Sequence, residues 1–168
     1  MLVAPRAASA SPSKTEGSGR HGWVKRQRLL RSPEFDAPAG PQGSWRASRR
    51  WLALSAAVFM DTKDSPGTSV SPSKIRFGLV VARRQAPRAV ARNMVKRILR
   101  EAARHAAPRL ESVAGVNRAD VVLRLKSALP DARQSTWHEV KAAIRRDADA
   151  LLEQLGAQLV RANTGGGR

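Results

Sequence analysis

The feature that most constrains this chain is a strand-like run followed closely by a strongly basic helical stretch. IRFGLVVARR, Ile75 to Arg84, precedes RNMVKRILRE, Arg92 to Glu101. Placed on a helix at about 100° per residue, the second stretch divides into two faces. Val95, Ile98, Leu99, Ala102 and Ala106 form one apolar stripe. Arg92, Asn93, Lys96, Arg97, Arg100 and Arg104 cover much of the other side, interrupted only by Glu101. One face is built to dock on a core. The other is an ordered array of cations with a single amide among them, which is what a folded phosphate backbone requires of a protein.

The rest of the chain agrees with a polyanion partner. Its 168 residues suffice for one domain plus tails, and 31 Lys and Arg against 13 Asp and Glu leave a formal charge of +18. Such an excess repels itself unless nucleic acid, or failing that an anionic membrane surface, is close by. Cysteine is absent, which excludes disulfides and thiol catalysis and fits a reducing cytoplasm. The longest apolar run, Trp51 to Met60, is ten residues, too short to span a bilayer. No membrane role is expected.

Residues 1–22 read as a disordered basic tail rich in Ala, Ser, Pro and Gly, and 161–168 as a second short tail around a domain at 23–160. Ser32 and Pro33 start a short helix that Pro38, Gly40 and Pro41 end. Trp51–Met60 is strand-like and joins Ile75–Arg84 through the loop Asp61–Lys74 as a long hairpin. The basic helix covers 89–107, stopped by Pro108, and Asp120–Lys126 is a third strand. A final helix opens at Thr136-Trp-His-Glu139, a capping-box pattern, and runs to about Leu159. Its stripe is Trp137, Val140, Ile144, Ala148, Leu151, Leu155 and Leu159. The order α-β-β-α-β-α predicts an α+β two-layer sandwich, a small central sheet with helices on one face.

Nothing in the sequence has the form of a protein active site. His21, His105 and His138 lack metal-ligand spacing, and no nucleophile elbow or phosphate loop is present. His105 follows Glu101 by four residues and reads as a helix-surface pair. Asp61 with Asp64, and Asp147 with Asp149, suit solvation better than metal binding. The residues alone therefore point to RNA or DNA binding without protein-borne catalysis.

The segment FGLVVARRQAPRAVARNMVKRILREAARH, Phe77 to His105, resembles the protein subunit of bacterial ribonuclease P. That family carries a Gly-Leu-x-Val-x-Lys-Lys strand end and then an Ala-Val-x-Arg-Asn-Arg-x-Lys-Arg-x-x-Arg-Glu helix. RLLRSPEFDA, SRRWLALSAAV and ADVVLRLKSAL are similar to its opening segment, first strand and last strand, so the resemblance covers roughly 26–156. It implies a ribosomal-protein-like fold with a left-handed βαβ crossover, an exception to the usual right-handed rule. It also implies two partners, a catalytic RNA and precursor tRNA, with no DNA partner expected. Hydrolysis falls to the RNA with Mg²⁺, the ion being held mainly by the RNA.

By the same resemblance Arg92, Asn93, Lys96, Arg97 and Arg100 contact the catalytic RNA, and Arg83 and Arg84 match the paired basic residues at the strand end; Arg88 and Arg104, beside them in the sequence, are expected to bind RNA as well. Phe35 and Trp51 match aromatic positions of a cleft for the single-stranded 5′ leader, where a ring stacks on a base or simply packs in the core. The chain departs from the pattern in three places. Met94 replaces an Arg, Ala39 stands where a second cleft aromatic is common, with Trp45 as a substitute, and one extra residue precedes the helix. A structural RNA-binding protein of ribosomal type, without a role in cleavage, is the alternative reading.

Overall fold

The computed structural model describes residues 27–39, 44–59, 75–114, 118–130 and 136–165. The expected tail at 1–22 and the loop Asp61–Lys74 lie outside them. The described elements are α1 (Ser32–Ala39), β1 (Ser44–Ser48), β2 (Leu52–Phe59), β3 (Ile75–Val80), α2 (Ala89–Ala114), β4 (Arg118–Leu125) and α3 (Trp137–Gly165).

The four strands form one sheet in the order β1-β2-β4-β3. β1 runs antiparallel to β2, β2 antiparallel to β4, and β3 parallel to β4. The α+β class holds, but β2 and β3 are not a hairpin as the sequence suggested. β4 lies between them, and the hairpin partner of β2 is β1, a strand that the sequence reading missed. A parallel pair needs a crossover, and α2 is that crossover. Leu29 extends the outer edge, its N–H donating to the Phe77 carbonyl at 3.0 Å.

Side-chain alternation along the strands separates two faces. Leu52, Leu54, Ile75, Phe77, Val121, Leu123 and Leu125 point to one face and join Val95, Leu99, Leu110, Ile144, Leu151 and Leu155 in a single core with α2 and α3. The expected helix stripes are thus buried. Two boundaries differ from expectation. α2 passes through Pro108 and continues to Ala114, because Leu110 and Ala114 are fully buried. That burial outweighs the roughly 3 kcal/mol typical of a proline inside a helix. α3 likewise continues beyond Leu159 to Gly165, so 161–165 are helix rather than tail.

The helices are not all on one face, as had been expected. α1 crosses the opposite face, where Gly78 makes room for it. A Cβ built on Gly78 would overlap Phe35 Cε1 and come within 3.1 Å of Leu29 Cδ1. Beside this contact Arg76 grips two carboxylates. Its Nε and Nη2 donate to Asp120 Oδ1 and Oδ2 at 2.8 and 2.6 Å, and its Nη1 donates to Glu34 Oε1 at 2.9 Å. Asp120 is 1% exposed, so its carboxylate is removed from water while Arg76 is only partly buried, and hydrogen bonding to Asp120 raises the Arg76 pKa further. α1 is thereby tied to β3 and β4 by one aromatic ring and one arginine.

Gly78→Ala is expected to push α1 off the sheet and destabilise the fold by about 1–3 kcal/mol, the usual cost of overpacking. Phe35→Ala in the same chain should relieve part of that loss. Urea unfolding of the two single variants and the double variant measures it, and strict additivity would show that the ring and the glycine do not meet.

Glu34 gives α1 a pH dependence. Its Oε2 accepts the N–H groups of Leu30 at 2.7 Å and Arg31 at 2.9 Å. These bonds, Arg31 first, and then Arg76 hold the carboxyl below its ordinary pKa. A depressed folded pKa means the stabilisation is complete above the unfolded carboxylate range and is lost as pH falls through the folded value. Hydrogen-exchange protection factors of the α1 amides, corrected for the intrinsic pH dependence of exchange, should therefore fall on acidification in the wild type. In Glu34→Gln that acid-dependent part should be reduced.

Candidate nucleic-acid interface

The outer face of α2 comes directly from helix geometry. Asn93, Arg97, Arg100 and Arg104 lie at i, i+4, i+7 and i+11, so they fall on one stripe about 16 Å long. All four are exposed, while Val95, Leu99, Ala102 and Ala103 anchor the other side in the core. Arg83 and Arg84 are exposed in the turn after β3, and Arg88 is exposed just before the helix. The cations expected from the sequence therefore gather along α2 and at its N-terminal end.

Two of those residues do more than present charge. Arg92 is half-buried, and its Nη1 donates to the carbonyls of Ala86 at 3.1 Å and Pro87 at 2.5 Å. It braces the turn into α2. Arg104 pairs with Glu101, which also meets His105 Nε2 at 2.9 Å, the surface pair expected from spacing. The Arg104 guanidinium, and then His105, hold the Glu101 carboxyl below its usual range. Lys96 is half-buried at the edge of the stripe. Arg97 and Arg100, exposed on the centre of the stripe, are its plainest cations. Met94, where the family pattern has Arg, packs partly against the core.

A second basic surface lies on the α1 side of the sheet. The register aligns Arg46, Ser55, Val122 and Gly78 in one row and Ser48, Ala53, Arg124 and Val80 in the next. Phe35 is half-buried over Gly78, and beyond it the floor is made of small side chains flanked by exposed Arg46 and Arg124. The sequence reading missed both arginines. Arg124 had a signal, being the one charge inside the apolar run VVLRL.

Trp51 does not share this surface. It is 9% exposed and belongs to the core with α2 and α3, and its backbone N–H donates to Asp147 Oδ2 of α3 at 2.8 Å. Asp147, read from sequence as solvated, is thus a tie between helix and sheet. Trp45 also fails as a substitute for the absent second aromatic. It lies in β1 opposite Ala56, and both belong to the core side. The expected aromatic pair reduces to Phe35.

Among the described residues no three His, Asp or Glu side chains gather as a set that would hold a metal ion. Among the same residues no helix is long and apolar enough to cross a membrane.

Comparison with known proteins identifies the family. The Ribonuclease P family profile matches residues 24–154. The ribonuclease P protein component of Bordetella avium is 40% identical over 123 residues, 73% of this chain and 86% of that protein. That of Paraburkholderia xenovorans is 36% identical over 144 residues, 83% of this chain and 87% of that protein. A shorter match, 36% identical over 81 residues, covers 48% of this chain and 56% of the Maridesulfovibrio salexigens ribonuclease P protein component. The solved structure of Staphylococcus aureus RNase P protein covers 77% of this chain and 94% of its own, with a TM-score of 0.49 and 16% identity. The family profile spans α1 through most of α3, including the basic stripe, and two of these relatives are matched over most of their length, so the chain belongs to the ribonuclease P protein family.

Proposed function

We propose that this chain is the protein component of ribonuclease P, acting with a catalytic RNA in the endonucleolytic removal of the 5′ leader from precursor tRNA. The observation that carries this reading is the pairing of two basic surfaces on opposite sides of one small sheet. The α2 stripe offers Asn93, Arg97, Arg100 and Arg104 to a structured RNA, with Arg83, Arg84 and Arg88 extending it around the helix start. The α1 face offers Phe35, Arg46 and Arg124 to a single strand, a ring for stacking beside cations for phosphates.

In this reading the protein positions RNA and does not itself cleave. The described side chains do not form a site fitted to Mg²⁺, so no step of the protein is routed through that ion. We assign Mg²⁺ to the RNA, whose phosphates are its natural oxygen ligands. The protein lowers phosphate repulsion where catalytic RNA and precursor approach each other, and it adds affinity for the leader.

Phe35→Ala tests the leader surface. Loss of one stacked base costs about 1–3 kcal/mol, roughly five- to a hundredfold in precursor affinity. Binding of leaderless mature tRNA should be unchanged, and Phe35→Leu should keep the packing over Gly78 without the stacking. Equal losses for precursor and mature tRNA would contradict the assignment.

A further inference from the structure

The N-terminal ends of α2 and α3 enclose an apolar pocket that adjoins the α2 basic surface at Arg88. Trp137, expected from the sequence to be the first residue of a buried stripe, is only half-buried. It walls two adjoining cavities. One, of about 320 Å³, is bounded by Ala86, Pro87, Arg88, Ala91, Leu129 and Pro130 together with Trp137. The other, of about 500 Å³, adds Val90, Met94 and Lys141. The floor is apolar, the rim carries Arg88 and Lys141, and among the described residues no carboxylate lines either space. Val90 is 81% exposed at its edge, the most exposed large apolar side chain among the described residues. From here a groove continues between the helices, lined by Arg97, Glu101 and Arg104 of α2 and by Lys141 and Arg145 of α3.

We propose that this pocket takes one unpaired nucleotide of the catalytic RNA, its base against Trp137 and its flanking phosphates on Lys141 and Arg88. The inference rests on the function proposed above and adds a base-binding site on the α3 side to it. A solvent-facing aromatic and an apolar floor suit a base turned out of a helix, since every base has a stacking face. The cationic rim selects a polyanion over a protein strand or helix. The groove is continuous with the α2 stripe through Arg97 and Arg104, which assigns the nucleotide to the RNA docked there. The leader, by contrast, would run on the opposite face of the sheet, at Phe35. The pocket also gives Met94 and Val90 a role, as apolar groups beneath a base.

The test is made in the reconstituted holoenzyme, with and without precursor tRNA. A photoreactive benzoylphenylalanine replaces Val90 in one protein and Arg97 in a second. Probes at both positions should crosslink to the catalytic RNA, and the one at position 90 should mark a single unpaired nucleotide whether or not precursor is present. Trp137→Ala should weaken binding to the catalytic RNA about tenfold and Trp137→Phe much less. Lys141→Ala, an exposed change that leaves the fold alone, should lower the log–log salt slope by nearly one unit. If position 97 crosslinks to the RNA while position 90 reacts only with precursor tRNA, with a protein or with nothing, the pocket assignment is overturned and the α2 interface stands. If neither position reaches RNA, both fall.

Discussion

Arg76→Ala is expected to destabilise the protein by about 3–5 kcal/mol and to lower Tm by on the order of 10 °C. The substitution leaves Asp120, 1% exposed, without either of its 2.8 and 2.6 Å hydrogen bonds. A buried carboxylate stripped of its partner costs far more than the pair contributed, because it stays desolvated and loses its compensation. Glu34 loses a partner at the same time, so the anchoring of α1 weakens with the sheet. Arg76→Lys should recover only part of the loss, since an ammonium cannot reproduce the fork that spans both Asp120 oxygens and Glu34. Removing both partners, Arg76→Met with Asp120→Leu, should restore most of the stability, because no buried charge is then left unpaired. Thermal unfolding of the three variants reads this directly. A loss below about 1 kcal/mol for Arg76→Ala would mean that Asp120 is solvated in the folded protein.

The second large effect concerns binding. Arg97→Ala combined with Arg100→Ala is expected to reduce affinity for the catalytic RNA on the order of a hundredfold near 0.1 M salt and to lower the log–log salt slope by nearly two units. These two side chains are exposed and central on the α2 stripe, so their loss removes phosphate contacts without disturbing the core. Arg92→Ala is a poorer probe, because its guanidinium also bonds the carbonyls of Ala86 and Pro87 and its loss loosens the start of α2. Filter binding across a salt series separates the two cases. An unchanged slope in the double variant, with its fold intact, would exclude the α2 stripe as the docking face.

How much of this could be read from the sequence depended on how local the cause was. The faces of α2 were legible because one helical period sorts Val95, Leu99 and Ala102 from Asn93, Arg97 and Arg100 without any tertiary information. The stripe of α3 was legible for the same reason. β1 was not, because in SWRAS only Trp45 and Ala47 face the core and arginines flank them. The strand order was hidden too, since inserting β4 between β2 and β3 is a pairing across distant sequence that no local pattern encodes. At Pro108 local propensity pointed the wrong way, and the burial of Leu110 and Ala114 decided the outcome.

In the candidate site, residue type was informative and placement was not. The cations of α2 sit where their spacing put them. Phe35 and Trp51 both match aromatic positions of the family's leader cleft, yet the sheet separates them, one over Gly78 on the α1 face and the other in the core against α3. Only the strand register reveals that Arg46 and Arg124 share the face of Phe35.

The measurement that tests the central claim most directly is a reconstitution. Purified protein is mixed with the catalytic RNA of its host and a 5′-extended precursor tRNA at low Mg²⁺, and cleavage is followed with and without protein. The account predicts a large protein-dependent gain in leader removal that disappears when the catalytic RNA is omitted. Tight binding to that RNA with no gain in cleavage, or cleavage by the protein with no RNA present, would contradict it.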